Sequence, residues 1–174
     1  YAFPPAEHLL ERLTTLLQTY HEAGGRDAVL LLHENEHGLP LIDLLARTGD
    51  GLPARVIPFA VNEITQLGIE LFATAMAMGA ADIRILAGPR TRGERTALGR
   101  TIGLAETFLA GLGWGSGRIE LIEADDPDAL GEALWSLERR PGTVTPAPFL
   151  PMGEKLGLMK LSLRQLHRAA PEPV

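Results

Sequence analysis

His33-Glu34-Asn35-Glu36-His37 sets two imidazoles four residues apart, with a carboxylate directly after the first. On a helix, that spacing brings both rings to one zinc ion and lets the glutamate polarise a metal-bound water for hydrolysis. The chemistry therefore depends on the element that carries the motif. Val29-Leu30-Leu31-Leu32 precedes it as a short apolar run between polar residues, the pattern of a strand buried on both faces. Gly38 and Pro40 follow at once, so at most a short helix from Asp27 to His37 could present the pair. No HxxGxxH extension offers a third ligand, and His167, the one later histidine, belongs to a separate helical segment. The context places His33 to His37 in a loop at a strand's carboxyl end and disfavours His33, Glu34 and His37 as metal ligands. A zinc hydrolase remains as a remote alternative.

The surrounding elements follow from hydrophobic periodicity. Leu9, Leu10, Leu13, Leu16, Leu17 and Tyr20 recur at helical spacing between Ala6 and Ala23, and Gly24-Gly25 ends that helix. After the first strand, Leu39, Leu41, Ile42, Leu44 and Leu45 mark a helix closed by Gly49. Ala54 to Ala60 reads as a second strand, with Pro58 limiting its pairing near the end. Asn62 is a capping residue for a helix from Glu63 to Met78, in which Met76 and Met78 read as core filler. Asp82 to Ala87 is a third strand, Thr91 to Leu112 a long helix, and Arg118 to Ile122 a fourth strand. Asp126-Pro127 opens a further helix, with proline at its first position. Strands alternating with helices predict an α/β domain: an open, mostly parallel four-stranded sheet with helices on both faces, a flavodoxin- or Rossmann-like three-layer sandwich. Extra helices stand at both ends, the last from Glu154 to Ala170. The predicted division is a sandwich over 1–142 and, over 143–174, an extended segment with Pro146, Pro148 and Pro151 followed by the C-terminal helix.

Open α/β sheets bind ligands at the carboxyl ends of their strands, near a topological switch. The default site is therefore the four loops carrying His33 to His37, Val61-Asn62-Glu63, Gly88 to Gly93 and Glu123 to Asp126, with Asn62, Glu63, Gly88 and Arg90 as the cofactor-binding candidates. Neither GxGxxG nor GxxxxGK[ST] occurs, so the usual cradles for dinucleotides and triphosphates are missing. Gly88-Pro89-Arg90-Thr91-Arg92-Gly93 does follow a strand and open a helix, where arginines could meet an anion; a solvated turn is the plainer reading. Gly111 to Gly117 follows a helix and precedes a strand, which suits a helix C-cap and turn. Gly115-Ser116-Gly117 lacks the spacing of a nucleophile elbow. Asp125, Asp126 and Asp128 gather at a helix start, where negative charge is stabilising without catalysis.

The totals narrow the function classes. The 174 residues fit one domain of ordinary size. There is no cysteine, which excludes disulfides, thiolate zinc sites, cysteine nucleophiles and Cys-ligated iron–sulfur clusters within these residues. A net charge of −6 argues against a nucleic-acid partner, and the apolar runs are too short to span a membrane. The chain starts at Tyr1 without a signal-peptide pattern, and the expectation is a cytoplasmic piece of a longer protein. Exposed leucines and Trp114 are the residues that would mark a docking face.

Val56-Ile57-Pro58, then Leu71-Phe72-Ala73-Thr74-Ala75-Met76-Ala77-Met78-Gly79-Ala80, then Ile83-Arg84-Ile85-Leu86-Ala87-Gly88 resemble the delta-subunit domain of methyl-viologen-reducing hydrogenases. That family passes electrons between a hydrogenase and a heterodisulfide reductase, using cysteines that bind an iron–sulfur cluster. This chain departs from it near Val61-Asn62 and Gly88-Pro89, where the cysteines would stand. Nearly the whole chain is similar to the middle region of bacterial 4Fe-4S ferredoxin-type proteins. The similarity runs through Tyr1-Ala2-Phe3-Pro4-Pro5, Val29-Leu30-Leu31-Leu32-His33, Gly51-Leu52-Pro53-Ala54, Ala60-Val61-Asn62-Glu63, Asp126-Pro127-Asp128-Ala129-Leu130 and Leu163 to Pro171. The resemblance implies 4Fe-4S clusters in flanking regions of a parent electron carrier and no cofactor or catalytic step within these residues. The partners it implies are flanking ferredoxin domains and a redox partner protein. A small-molecule or flavin-binding oxidoreductase domain is the alternative.

Overall fold

The computed structural model describes residues 6–89, 91, 95–144 and 155–171. Its elements are helix α1 (Ala6–Glu22), strand β1 (Val29–Glu34), helix α2 (Gly38–Thr48), strand β2 (Val56–Val61), helix α3 (Ile69–Ala77), strand β3 (Asp82–Ala87), helix α4 (Arg95–Gly111), strand β4 (Ile119–Glu123), helix α5 (Pro127–Trp135) and helix α6 (Lys155–Arg168). All four strands are parallel, in the order β2-β1-β3-β4. The α/β class and the helical layers on both faces are as the alternation predicts.

Side chains alternate across the sheet because successive strand residues point to opposite faces. Leu30, Leu32, Phe59, Ile83 and Ile85 pack beneath α1, α3, α4 and α6. Val29, Leu31, Val56, Leu86 and Ile122 pack beneath α2 and α5. β1 and β3 lie at the centre, and Ala28 to Leu32 have no exposed surface. This explains an uninterrupted apolar run where a half-exposed strand would alternate.

Several boundaries differ from the sequence reading. β1 continues through His33 and Glu34, which the periodicity left in a loop, because both residues pair with β2, Glu34 opposite Val61. Pairing of β2 runs unbroken from Val56 to Val61 through Pro58. β2 is an edge strand, the place in a sheet where a residue without an N–H is tolerated. The helix expected over 63–78 is divided: a 3-10 turn spans Ile64–Gln66, Leu67 and Gly68 are extended, and α3 starts at Ile69. Gly68, not Asn62, occupies the N-cap of α3, and Asn62 is exposed. α4 is described from Arg95, and the start expected near Thr91 falls beside residues 92–94, outside the described residues.

α6 closes the layer over α3 and α4. Leu166 is fully buried, and the Ser162 hydroxyl lies 3.3 Å from that of Thr74 on α3. Thr143 is buried too, and its hydroxyl donates to the carbonyls of Met76 and Ala80. The two ends of residues 143–174 that the structure describes are thus packed against the sandwich; the proline-rich stretch expected between them lies outside the described residues. Gly79, after α3, has φ +89, and a Cβ there would stand 2.6 Å from both His21 Nε2 and the Val144 carbonyl, so this turn requires glycine on two counts.

If α6 is an integral part of the core, Leu166→Ala will cost about 2–5 kcal/mol in denaturant unfolding. Leu161→Ala, at a position 43% exposed, should change stability by no more than about 0.5 kcal/mol. Equal effects of the two substitutions would mean that α6 is not docked as described.

Candidate functional site

The strand order turns at β1: the chain moves to β2 on one side and to β3 on the other. The switch point therefore lies between the carboxyl ends of β1 and β3, where doubly wound sheets open a crevice. Here the crevice holds His37. Its ring rests against Gly88, close enough that a Cβ at Gly88 would approach the imidazole to 2.8 Å. Its Nε2 donates to the Ala124 carbonyl, 2.9 Å away at the end of β4. One imidazole thereby links the loops after β1, β3 and β4.

The residues around it are similarly engaged. Glu34 Oε1 accepts the Ile64 N–H at 2.9 Å, tying the end of β1 to the turn after β2. Thr91 Oγ1 donates to the Gly88 carbonyl at 2.7 Å, closing the loop after β3. Arg95, at the start of α4, pairs with Glu123 at the end of β4. Asp126 Oδ1 accepts the Ala129 N–H at 2.8 Å and caps α5, the structural role the sequence suggests for that acidic group.

His33 sits behind this edge, 3% exposed, with its ring over Gly38, where a Cβ would come within 2.8 Å of the imidazole. Its Nδ1 donates to the Glu34 carbonyl at 3.3 Å. Burial pushes its pKa below the ordinary value, and the nearby carbonyl only partly offsets that. Because His33 and Glu34 are adjacent on a strand, their side chains point to opposite faces. The helical presentation that HExxH needs is absent, and among the described residues no group of three or more His, Asp or Glu could hold a metal ion. Asn62 and Glu63 are exposed on the β2 side, away from Gly88 across β1, so these three cofactor candidates do not converge. Arg90, Arg92 and Gly93 lie outside the described residues.

The opposite edge carries a constellation that the sequence reading did not assemble. Arg55, Asp82, Arg84 and Arg118, all buried, gather with Arg140 at the amino ends of the strands. Arg55 donates to the Leu137 and Glu138 carbonyls, and Arg84 to those of Arg118 and Gly117 at 3.1 and 3.2 Å. Arg118 donates to the Trp114 and Ala81 carbonyls, both at 2.6 Å. Asp82 is 1% exposed, with Arg140 Nη1 3.8 Å away, and neither carboxylate oxygen has a hydrogen-bond partner. Burial raises its pKa, against the pull of Arg84, Arg140, Arg118 and Arg55. The arginines here hold loop carbonyls, which makes the cluster a clasp across the sheet's amino edge. A charged residue at each strand start was its only sequence signal, and spacing does not reveal that residues 55, 82, 84, 118 and 140 meet. Trp114 is half-buried with its indole nitrogen enclosed.

No protein-family model matches the chain, and no curated protein matches it. No helix among the described residues is long and apolar enough to cross a membrane.

Two measurements follow from this geometry. Gly88→Ala should cost about 1–3 kcal/mol, because the His37 ring must move. The penalty should shrink in a His37→Ala background, giving a coupling of about 1 kcal/mol in a double-mutant cycle; strict additivity would mean that the ring does not fill the crevice. Burial lowers the His33 pKa in the fold, so its contribution to stability is complete above 6.5, its ordinary pKa. Below that value the unfolded chain takes the proton first, and stability falls with pH. Denaturant titrations from about pH 7 to about pH 5 should show this decline, flattened in His33→Gln. An unchanged slope in that variant would assign the decline to other groups.

Proposed function

We propose that this domain is a cysteine-free scaffold of a larger iron–sulfur electron-transfer protein in the cytoplasm, positioning flanking 4Fe-4S ferredoxin segments for a redox partner. It performs no catalytic step of its own. The observation that carries this reading is the His37 ring in the switch-point crevice, held by Gly88 and the Ala124 carbonyl. The position that an α/β sheet ordinarily offers to a nucleotide or flavin is given to a structural contact, which favours holding over binding and turnover. The absence of cysteine supports a reading in which thiolate-bound clusters belong to flanking segments. A polar clasp at one strand edge and a bridged crevice at the other tie the loops together at both ends of the sheet, which supports use as a spacer between redox centres. The resemblance to the middle region of ferredoxin-type proteins supplies the nature of those centres.

The test is the complete parent polypeptide. Its gene should encode CxxCxxC motifs flanking this region, and the purified protein should contain iron and acid-labile sulfide and give the paramagnetic signal of reduced 4Fe-4S clusters. A parent lacking such motifs on both flanks, or one whose flavin is lost on substitution of Asn62 and Glu63, would defeat the proposal.

A further inference from the structure

α6 differs in charge from the rest of the molecule. The chain has 22 acidic residues against 16 Lys and Arg, yet α6 contains no acid and four of those 16: Lys155, Lys160, Arg164 and Arg168. The helix macrodipole accounts for basic residues in the last turn, where His167 and Arg168 lie. It does not account for Lys160 and Arg164. The side chains of Lys160, Arg164 and Arg168 are exposed, and none of the three forms an ion pair among the described residues.

Beside them runs a groove of about 430 Å³, formed by Phe108 of α4 and by Leu163, Arg164, His167 and Arg168 of α6. Its volume falls in the range of about 300–1,000 Å³ typical of sites that enclose a ligand. Its apolar floor extends onto α4, where Leu104, one turn before Phe108 on the same side, is 61% exposed. The one acid of α4, Glu106, does not offset the cations. Its carboxylate is taken up by the backbone N–H groups of Gly117, Arg118 and Ile119, at 2.6, 2.9 and 2.7 Å.

We propose that the α4–α6 groove docks an acidic segment of a partner protein, which seats one apolar side chain on Phe108 and Leu163 while its carboxylates meet Arg164, Arg168 and Lys160. The charge pattern selects this occupant. An anionic membrane would need α6 to turn its apolar face outward, but Ser162 and Leu166 hold that face in the core. Nucleic acid would meet a molecule of net charge −6 around a single basic helix. An acidic segment needs only a local match: an apolar anchor in the groove with opposite charges at the rim, which provide steering and orientation. The inference rests on the docking role proposed above but not on the iron–sulfur identity of the parent.

The probe is a fluorescein-labelled, helix-forming peptide of glutamate and alanine with one central phenylalanine, titrated against the full chain and followed by anisotropy. Saturable binding that weakens as salt is raised is expected. Arg164→Glu combined with Arg168→Glu should weaken it about tenfold or more, as should replacing the probe's phenylalanine by alanine. Both arginines are exposed, so circular dichroism of the double variant should match the parent. Arg47→Glu, in an exposed ion pair on α2, should leave binding unchanged. The proposal is overturned if the probe does not bind, or if binding is indifferent to either the double variant or the missing anchor. It is equally overturned if phosphatidylserine vesicles, or a lysine version of the peptide, bind the groove as well as the acidic probe does. None of these outcomes bears on whether the parent holds iron–sulfur clusters, so the two proposals fail separately.

Discussion

At the centre of the sheet, β1 and β3 have a strand on each side and a helical layer over each face, so their backbone groups reach water only where the strands end. Burying those strands supplies the hydrophobic stabilisation of the fold, and it leaves two polar rims to be satisfied. The loops that connect strands to helices must be held at those rims without exposing the apolar interior. Most of the polar contacts described above meet that demand. At the amino rim, arginine side chains reach into the loops and collect carbonyls. At the carboxyl rim, His37, Glu34, Thr91 and the Arg95–Glu123 pair link one loop to the next.

The carboxyl rim is where this molecule parts from the usual use of its architecture. A doubly wound sheet commonly leaves the switch point open, and the gap between diverging loops becomes a ligand site. A glycine at position 88 permits the opposite solution, because it lets an imidazole lie flush against the strand end. The histidines that suggest hydrolytic chemistry in the sequence are packing elements: His33 over Gly38, and His37 over Gly88. Each histidine is paired with a glycine it could not otherwise approach, so the two residue types form a single structural device.

The alternation of strands and helices was legible from the sequence because long apolar runs and helical periodicity are local properties. β3 and β4 were legible to within a residue for the same reason. The end of β1 was not, since His33 and Glu34 look like loop residues until β2 pairs with them. The break at Gly68 was also hidden. Ile64, Leu67, Leu71, Ala75 and Met78 are all buried, so the spacing of a continuous helix survives although the backbone is interrupted. The strand edge could be read as the carboxyl ends of the strands, but the hydrogen bond there between residues 37 and 124 is one that no local pattern encodes. The basic character of α6 could be read directly. That its exposed side borders a groove with Phe108 required the packing of α6 against α4.

The clasp at the amino rim bears on how the chain acquires its fold. Its members come from the starts of β2, β3 and β4 and from the segment after α5, and the carbonyls they hold lie at one another's strand starts or in the segments beside them. No sub-fragment contains enough of them to close it. A nascent chain that has emerged only as far as β3 carries Asp82 and Arg84 without Arg118 or Arg140, leaving a carboxylate that cannot be buried at low cost. Half-formed sheets are therefore penalised until the segment carrying Arg140 arrives. Such long-range closure favours slow but all-or-none assembly over accumulation of partly ordered species.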